Sequence, residues 1–173
     1  MVSEIISGLI GGILGVVSTL AAQKMQQCYD TKKLRGAETR KAELLAYEKV
    51  RSIVSDDALR ALETLEAYSG YPASLWDTLR KFEYDFDDHL ATFHSAGLEK
   101  KFQVMRKSVM GFMEQSSKYC TQEAGRYTTV PRIHNPRDKQ RFRDEAVPVD
   151  EAARTAHKAA LDFLKTAKIE LRV

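Results

Sequence analysis

The chain has 173 residues, and 27 Lys and Arg against 24 Asp and Glu leave a net charge of +3, unremarkable as a total. Two cysteines, Cys28 and Cys120, cannot make a disulfide framework, and the only asparagine, Asn135, precedes a proline and is no glycosylation acceptor. A small disulfide-stapled fold is therefore excluded, and both facts suit a reducing, cytosolic side.

Ile5 to Ala22 comes first, eighteen residues without a charge: nine Ile, Leu or Val, four Gly, three Ser or Thr and two Ala. As a helix it is about 27 Å long, enough to cross a thin hydrocarbon core. Its aliphatic residues favour insertion by roughly −3 to −5 kcal/mol before the glycines and hydroxyls are counted. At about 100° per residue, Ser7, Gly8, Gly11, Gly12, Gly15, Ser18, Thr19 and Ala22 fall on one arc. The large aliphatics fill the rest. Gly8-x-x-x-Gly12 and Gly11-x-x-x-Gly15 are overlapping small-xxx-small patterns, which let two helix backbones approach closely in lipid. Residues 1–23 thus read as a transmembrane anchor with a packing face for a membrane-helix partner or a second copy. Met1 to Glu4 carries no Lys or Arg, whereas Lys24, Lys32, Lys33, Arg35, Arg40 and Lys41 follow closely, so the N-terminus is expected outside and the C-terminal domain in the cytoplasm. Glu4 in place of a basic n-region argues against a cleaved signal peptide.

Residues 24–43 are polar all round and free of proline, and read as a helical stalk with Gly36 as its weakest point. The remaining residues, 44–173, suffice for one domain with a single core. Tyr47, Val50, Val54, Ala58, Ala61, Leu65 and Tyr68 recur at steps of three and four, predicting one long amphipathic helix ended by Gly70 and Pro72. Ser74 is the expected cap of a second helix, with Leu75, Leu79, Phe82, Phe86, Leu90 and Phe93 as its buried face. A third follows Gly97, with the stripe Leu98, Phe102, Met105, Val109, Phe112, Ser116 and Tyr119, and is expected to run toward Gly125. A loop over 126–148 then leads to a fourth helix capped by Asp150, with Ala153, Ala156, Ala160, Leu164 and Ala167 on its inner face. Tyr127 to Ile133 has β-branched content but is interrupted by Pro131, so no sheet is expected. The fold class is all-α: a transmembrane helix, a stalk and a cytosolic up-down bundle of about four helices.

Glu83, Asp85, Asp87, Asp88, His89 and His94 are the right residue types for a metal, and Asp85 and His89 share a helix face. The apolar stripe through Phe86, Leu90 and Phe93 turns most of them toward water, so a solvated acidic face is the expectation. The loop's Arg126, Arg132, Arg137, Lys139, Arg141 and Arg143 form the densest basic patch, which reads first as an ordinary solvated loop and otherwise suits anionic headgroups or an acidic protein surface. A groove for single-stranded nucleic acid would carry more aromatics than Tyr127 and Phe142. Cys120 with His134 or His157 is a conceivable nucleophile and base, but Cys120 lies beside an apolar stripe, where cysteine packs as a small hydrophobe. Met105, Met110 and Met113 fit an adaptable groove or, more simply, a core. Phosphate loops, serine elbows and paired-cysteine zinc patterns are absent, and no cofactor is expected.

The reading these features favour is a non-enzymatic single-pass membrane protein that oligomerises through its glycine face and binds a partner or senses a signal through its bundle. A holin-like, membrane-perturbing effector and a membrane-tethered metal enzyme centred on Asp85, Asp88 and His89 are the alternatives.

Overall fold

A computed structural model describes residues 34, 36–86, 92–131 and 134–173, so the Ile5 to Ala22 segment and its packing face lie outside the described residues. The chain divides into two units, Met1–Ala42 and Glu43–Val173. Of the first, residues 36–42 are helical and mostly exposed.

The protein is mostly helical, as the periodicity predicts. No helix among the described residues is long and apolar enough to cross a membrane. The expected long first helix is instead two. Helix α1 covers 36–53 and α2 covers Asp56–Glu63, separated at Val54 and Ser55. Ser55 is the reason: its backbone is extended and its hydroxyl accepts from the Ala58 N–H, the geometry of an N-cap rather than of a helix interior. Arg51 spans the break, donating to the Val54 carbonyl (2.6 Å) and to Asp56 (2.5 Å), and this guanidinium lowers the Asp56 pKa. Val50, Ile53, Val54, Ala58, Leu59 and Leu62 remain buried through the break, which is why the stripe looks continuous in the sequence.

The second expected helix is also divided, into α3 (Ala73–Leu79) and α4 (Lys81–Asp85). Pro72 rather than Ser74 stands at the N-cap. Leu75, Leu79, Phe82, Phe86 and Phe93 are buried as the stripe requires, while Leu90 lies outside the described residues.

Helix α5 (Ala96–Tyr119) starts at Ser95, whose hydroxyl accepts from the Leu98 N–H, and stops at Tyr119, short of Gly125. Two carboxylates, one from α1 and one from the first turn of α5 itself, secure the turn before it. Glu43 accepts from the His94 and Ser95 N–H groups (3.0 Å each), and Glu99 accepts from those of Thr92 (3.0 Å) and Phe93 (2.8 Å). Carboxylates at these donors satisfy otherwise orphaned amides and complement the helix dipole.

The segment expected to be a loop is largely ordered into elements. Strand β1 (Tyr71–Pro72), β2 (Thr121–Glu123) and β3 (Arg126–Thr128) form a three-stranded antiparallel sheet in the order β1-β3-β2. Pro131 does not prevent it, because β3 ends three residues earlier. The hairpin turns through Ala124 and Gly125 at φ +49° and +76°. Gly70, at φ +83°, brings its backbone so close to β3 that a Cβ would lie 3.1 Å from the Tyr127 carbonyl oxygen.

A 3₁₀ turn, Pro136–Asp138, leads into α6 (Lys139–Leu171), so the last helix begins eleven residues before the expected cap at Asp150. Pro148 lies inside it and removes a helical donor, a cost of about 3 kcal/mol in a helix interior. Burial outweighs that: Phe142, Ala146, Val149 and Ala153 continue the buried stripe across the proline, and each large apolar side chain buried contributes about 1.5–3 kcal/mol.

Helices α5 and α6 run antiparallel, with Ser95 bonded to Glu170 and Lys101 to Asp162 (2.6 Å). Buried Ala153, Ala156, Ala160 and Ala167 let the two backbones pack closely. Phe82, Phe86, Phe93, Phe102 and Phe163 form an aromatic cluster at this end, with centroids 5.0–6.4 Å apart.

Candidate binding cleft

The β1–β3 pairing sets Tyr71 opposite Tyr127, and their rings stack at 5.7 Å. Tyr71 rests on Phe112 of α5 at 5.7 Å, and Tyr127 stacks on Trp76 of α3 at 5.1 Å. The result is an aromatic column rooted in the core, with the chain's only tryptophan at its outer end. Burial raises the Tyr71 hydroxyl pKa far above its usual value, and that hydroxyl shares a hydrogen bond with the Ser116 hydroxyl. Tyr127 is also raised, by burial first and then by the Asp77 carboxylate.

Beside Trp76 opens a cleft of about 600 Å³. Trp76, Arg80 and Glu83 form one wall, and α5 supplies Lys107, Met110, Gly111, Met113, Glu114 and Ser117. Arg80 pairs with Glu83 (3.5 Å) and lies over the Tyr84 ring at 5.5 Å. Gly111 leaves the cleft open on the helix side, since a Cβ there would meet nothing within 4 Å. Lys107 and Glu114, two turns apart, make no ion pair among the described residues. The volume falls in the range of ligand-binding clefts, and Arg80, Glu83, Lys107 and Glu114 place charged groups beside Trp76 and the methionines.

Of the three methionines on α5, Met105 and Met113 are buried, and Met113 with half-buried Met110 also faces the cleft. Trp76, Arg80, Lys107, Gly111 and Glu114 were not singled out by sequence reasoning. A glycine in mid-helix with no capping role was the available signal.

The basic residues do not form one exposed loop. Arg126 lies on β3 and donates to the Gly70 carbonyl. Arg143 lies over the Tyr68 ring at 5.6 Å, and Arg141 over Phe142 at 4.9 Å, between Asp138 (3.9 Å) and Glu145 (3.6 Å). Arg137 and Lys139 are exposed, and Arg132 lies outside the described residues. The correction has a physical cause: the helix begins at Lys139, so Lys139, Arg141 and Arg143 leave a buried Phe142 stripe as its solvent face.

The acidic segment is exposed where it is described. Glu83 lines the cleft, Asp85 lies 3.8 Å from the Lys49 ammonium, and Asp87, Asp88 and His89 are outside the described residues. No group of three or more His, Cys, Asp or Glu among the described residues is placed to hold a metal ion. Cys120 is half-buried, and burial raises its pKa to about 11, so it is held as a thiol at neutral pH. His134 contacts the Pro131 carbonyl (2.8 Å) and meets Phe142 edge-on, while His157 lies on α6. Comparison with protein families, characterised proteins and solved structures finds no match to this chain.

Proposed function

We propose that this chain is a single-pass membrane protein whose C-terminal bundle faces the cytoplasm and makes protein contacts through the cleft beside Trp76. The anchor rests on the sorting of Ile5 to Ala22 into a small and an aliphatic face, with cations only on its C-terminal flank. The binding role rests on the cleft: a fixed tryptophan and a half-buried methionine are poor uses of exposed surface unless something covers them. Its glycine-rich face pairs membrane helices, and the bundle supplies a second contact.

Alkaline carbonate washing of membranes is expected to leave the full chain in the pellet, and removal of residues 1–23 to release it. Extraction of the full chain by carbonate defeats the anchor. A photo-crosslinking residue at Trp76 is expected to capture a protein in intact membranes, whereas one at exposed Glu151 is not. Equal capture from both positions, or none, defeats the cleft as a binding surface. Gly11→Ile with Gly15→Ile is expected to weaken association of the membrane helix.

A further inference from the structure

The side of α5 that borders the cleft is complementary to itself. Lys107, Met110, Gly111, Glu114 and Ser117 line the cleft, and exposed Val104, one turn before Lys107, continues that side of the helix beyond it. Their numbering is symmetric about the point midway between Met110 and Gly111. Laid antiparallel against a second α5 about that point, Lys107 meets Glu114 of the other copy and Glu114 meets its Lys107. Val104 meets Ser117, and Met110 meets Gly111. This is the reciprocal pattern of an isologous two-fold contact.

Three observations lead to that occupant. Val104 is 51% exposed, a large apolar side chain left open beside the charged pair. Lys107 and Glu114 carry opposite charges with no ion pair among the described residues. Gly111 weakens the helix that carries it, and among the described residues no neighbour within 4 Å of its Cβ position requires a glycine. Close approach of a second backbone does require one.

We infer that the partner of the cleft is a second copy of this chain, docked antiparallel through α5 about Met110 and Gly111. A parallel arrangement would set Lys107 against Lys107 and Glu114 against Glu114, so the charges also select the direction. A single helix-on-helix contact is small compared with a standard stable interface. It becomes effective when two copies share a membrane, because tethering raises their local concentration. The inference rests on the cleft being a binding surface and adds the identity of what binds.

The test uses the full chain reconstituted in phosphatidylcholine vesicles, with Cys28→Ser and Cys120→Ala removing the native thiols. A Gly111→Cys variant places one sulfur beside the two-fold axis, within the short Cβ separation a disulfide needs. Under mild oxidation it should form disulfide-linked dimer several-fold faster than a Lys158→Cys control on the exposed face of α6. K107E in the Gly111→Cys background should slow dimer formation, and K107E/E114K should restore it, because reversing both charges recreates the pair. All charge changes are at exposed positions, so the exchange reads contact rather than folding. Dimer formation no faster than the control overturns the inference, as does a double variant no better than K107E. If the residue at Trp76 meanwhile captures a different protein, the second copy is rejected and the binding cleft stands; if it captures nothing, both fall.

Discussion

Asp150 shows how one side chain serves a role its position in the sequence does not suggest. It lies in the middle of α6 rather than capping it, and its carboxylate accepts from the Ala67 N–H (2.7 Å) across 83 positions of chain. That bond holds the 64–70 turn, whose Ala67 carbonyl in turn accepts from the Thr129 N–H (3.1 Å) and whose Gly70 leads into β1. Partial burial raises the Asp150 pKa above 3.8, against the opposing effects of the Ala67 hydrogen bond and Arg154. An acid whose folded pKa is raised binds its proton more tightly in the folded state. Its contribution to stability is therefore present in full below about pH 3.8 and is lost as pH rises through the raised folded value. Asp150→Asn keeps an acceptor and loses the charge, so its stability at pH 7 is expected to be no lower than wild type, with a flatter dependence on pH just above 3.8. Asp150→Ala leaves the Ala67 amide without its acceptor and is expected to cost about 1–3 kcal/mol. Urea denaturation at pH 4 and pH 7 checks both.

Among the elements, α5 and α6 illustrate opposite relations between local propensity and packing. Pro148 opposes a helix locally, yet α6 runs through it because Phe142, Ala146 and Val149 on one side and Ala153 and Ala156 on the other belong to a single buried face. Gly111 likewise opposes the helix, but no packing among the described residues compensates for it. Gly111→Ala is therefore expected to raise the stability of the folded chain by about 0.5–1 kcal/mol, read as a higher midpoint in thermal unfolding. A fall would mean that the backbone at 111 is more constrained than its surroundings indicate. The same glycine-for-alanine change should weaken the antiparallel α5 contact, so stability and association are expected to move in opposite directions.

At the scale of the molecule, the contacts that close the fold join distant parts of Glu43–Val173. Glu43 reaches His94 and Ser95, Lys49 reaches the Asp85 carbonyl (2.9 Å), Ala67 reaches Asp150, and Ser95 reaches Glu170. The first and last residues in this set bracket the whole unit. Its core is one continuous cluster running from Tyr47 to Leu171. A fragment comprising residues 43–173 is accordingly expected to fold alone with a single cooperative transition, and Glu43→Ala to loosen the start of α5. Circular dichroism on denaturant titration and hydrogen exchange at residues 92–98 measure these outcomes; two separated transitions would contradict the single core.

The sequence by itself determined the helical class and most of the core. Stripes such as Leu98, Phe102, Met105, Val109 and Phe112 are legible because a helix repeats its faces every 3.6 residues whatever it packs against. What only the tertiary structure decided is where those stripes break and what lies between them. Ser55 ends one helix and starts another, and Phe142 draws an arginine-rich stretch into α6 past Pro148, because capping and burial elsewhere outweigh the local signals. The cleft was legible only in part, through Met110 and Met113. Its wall depends on Trp76 being stacked on Tyr127 and Tyr71, residues brought together by a sheet of two- and three-residue strands too short to leave a periodic mark.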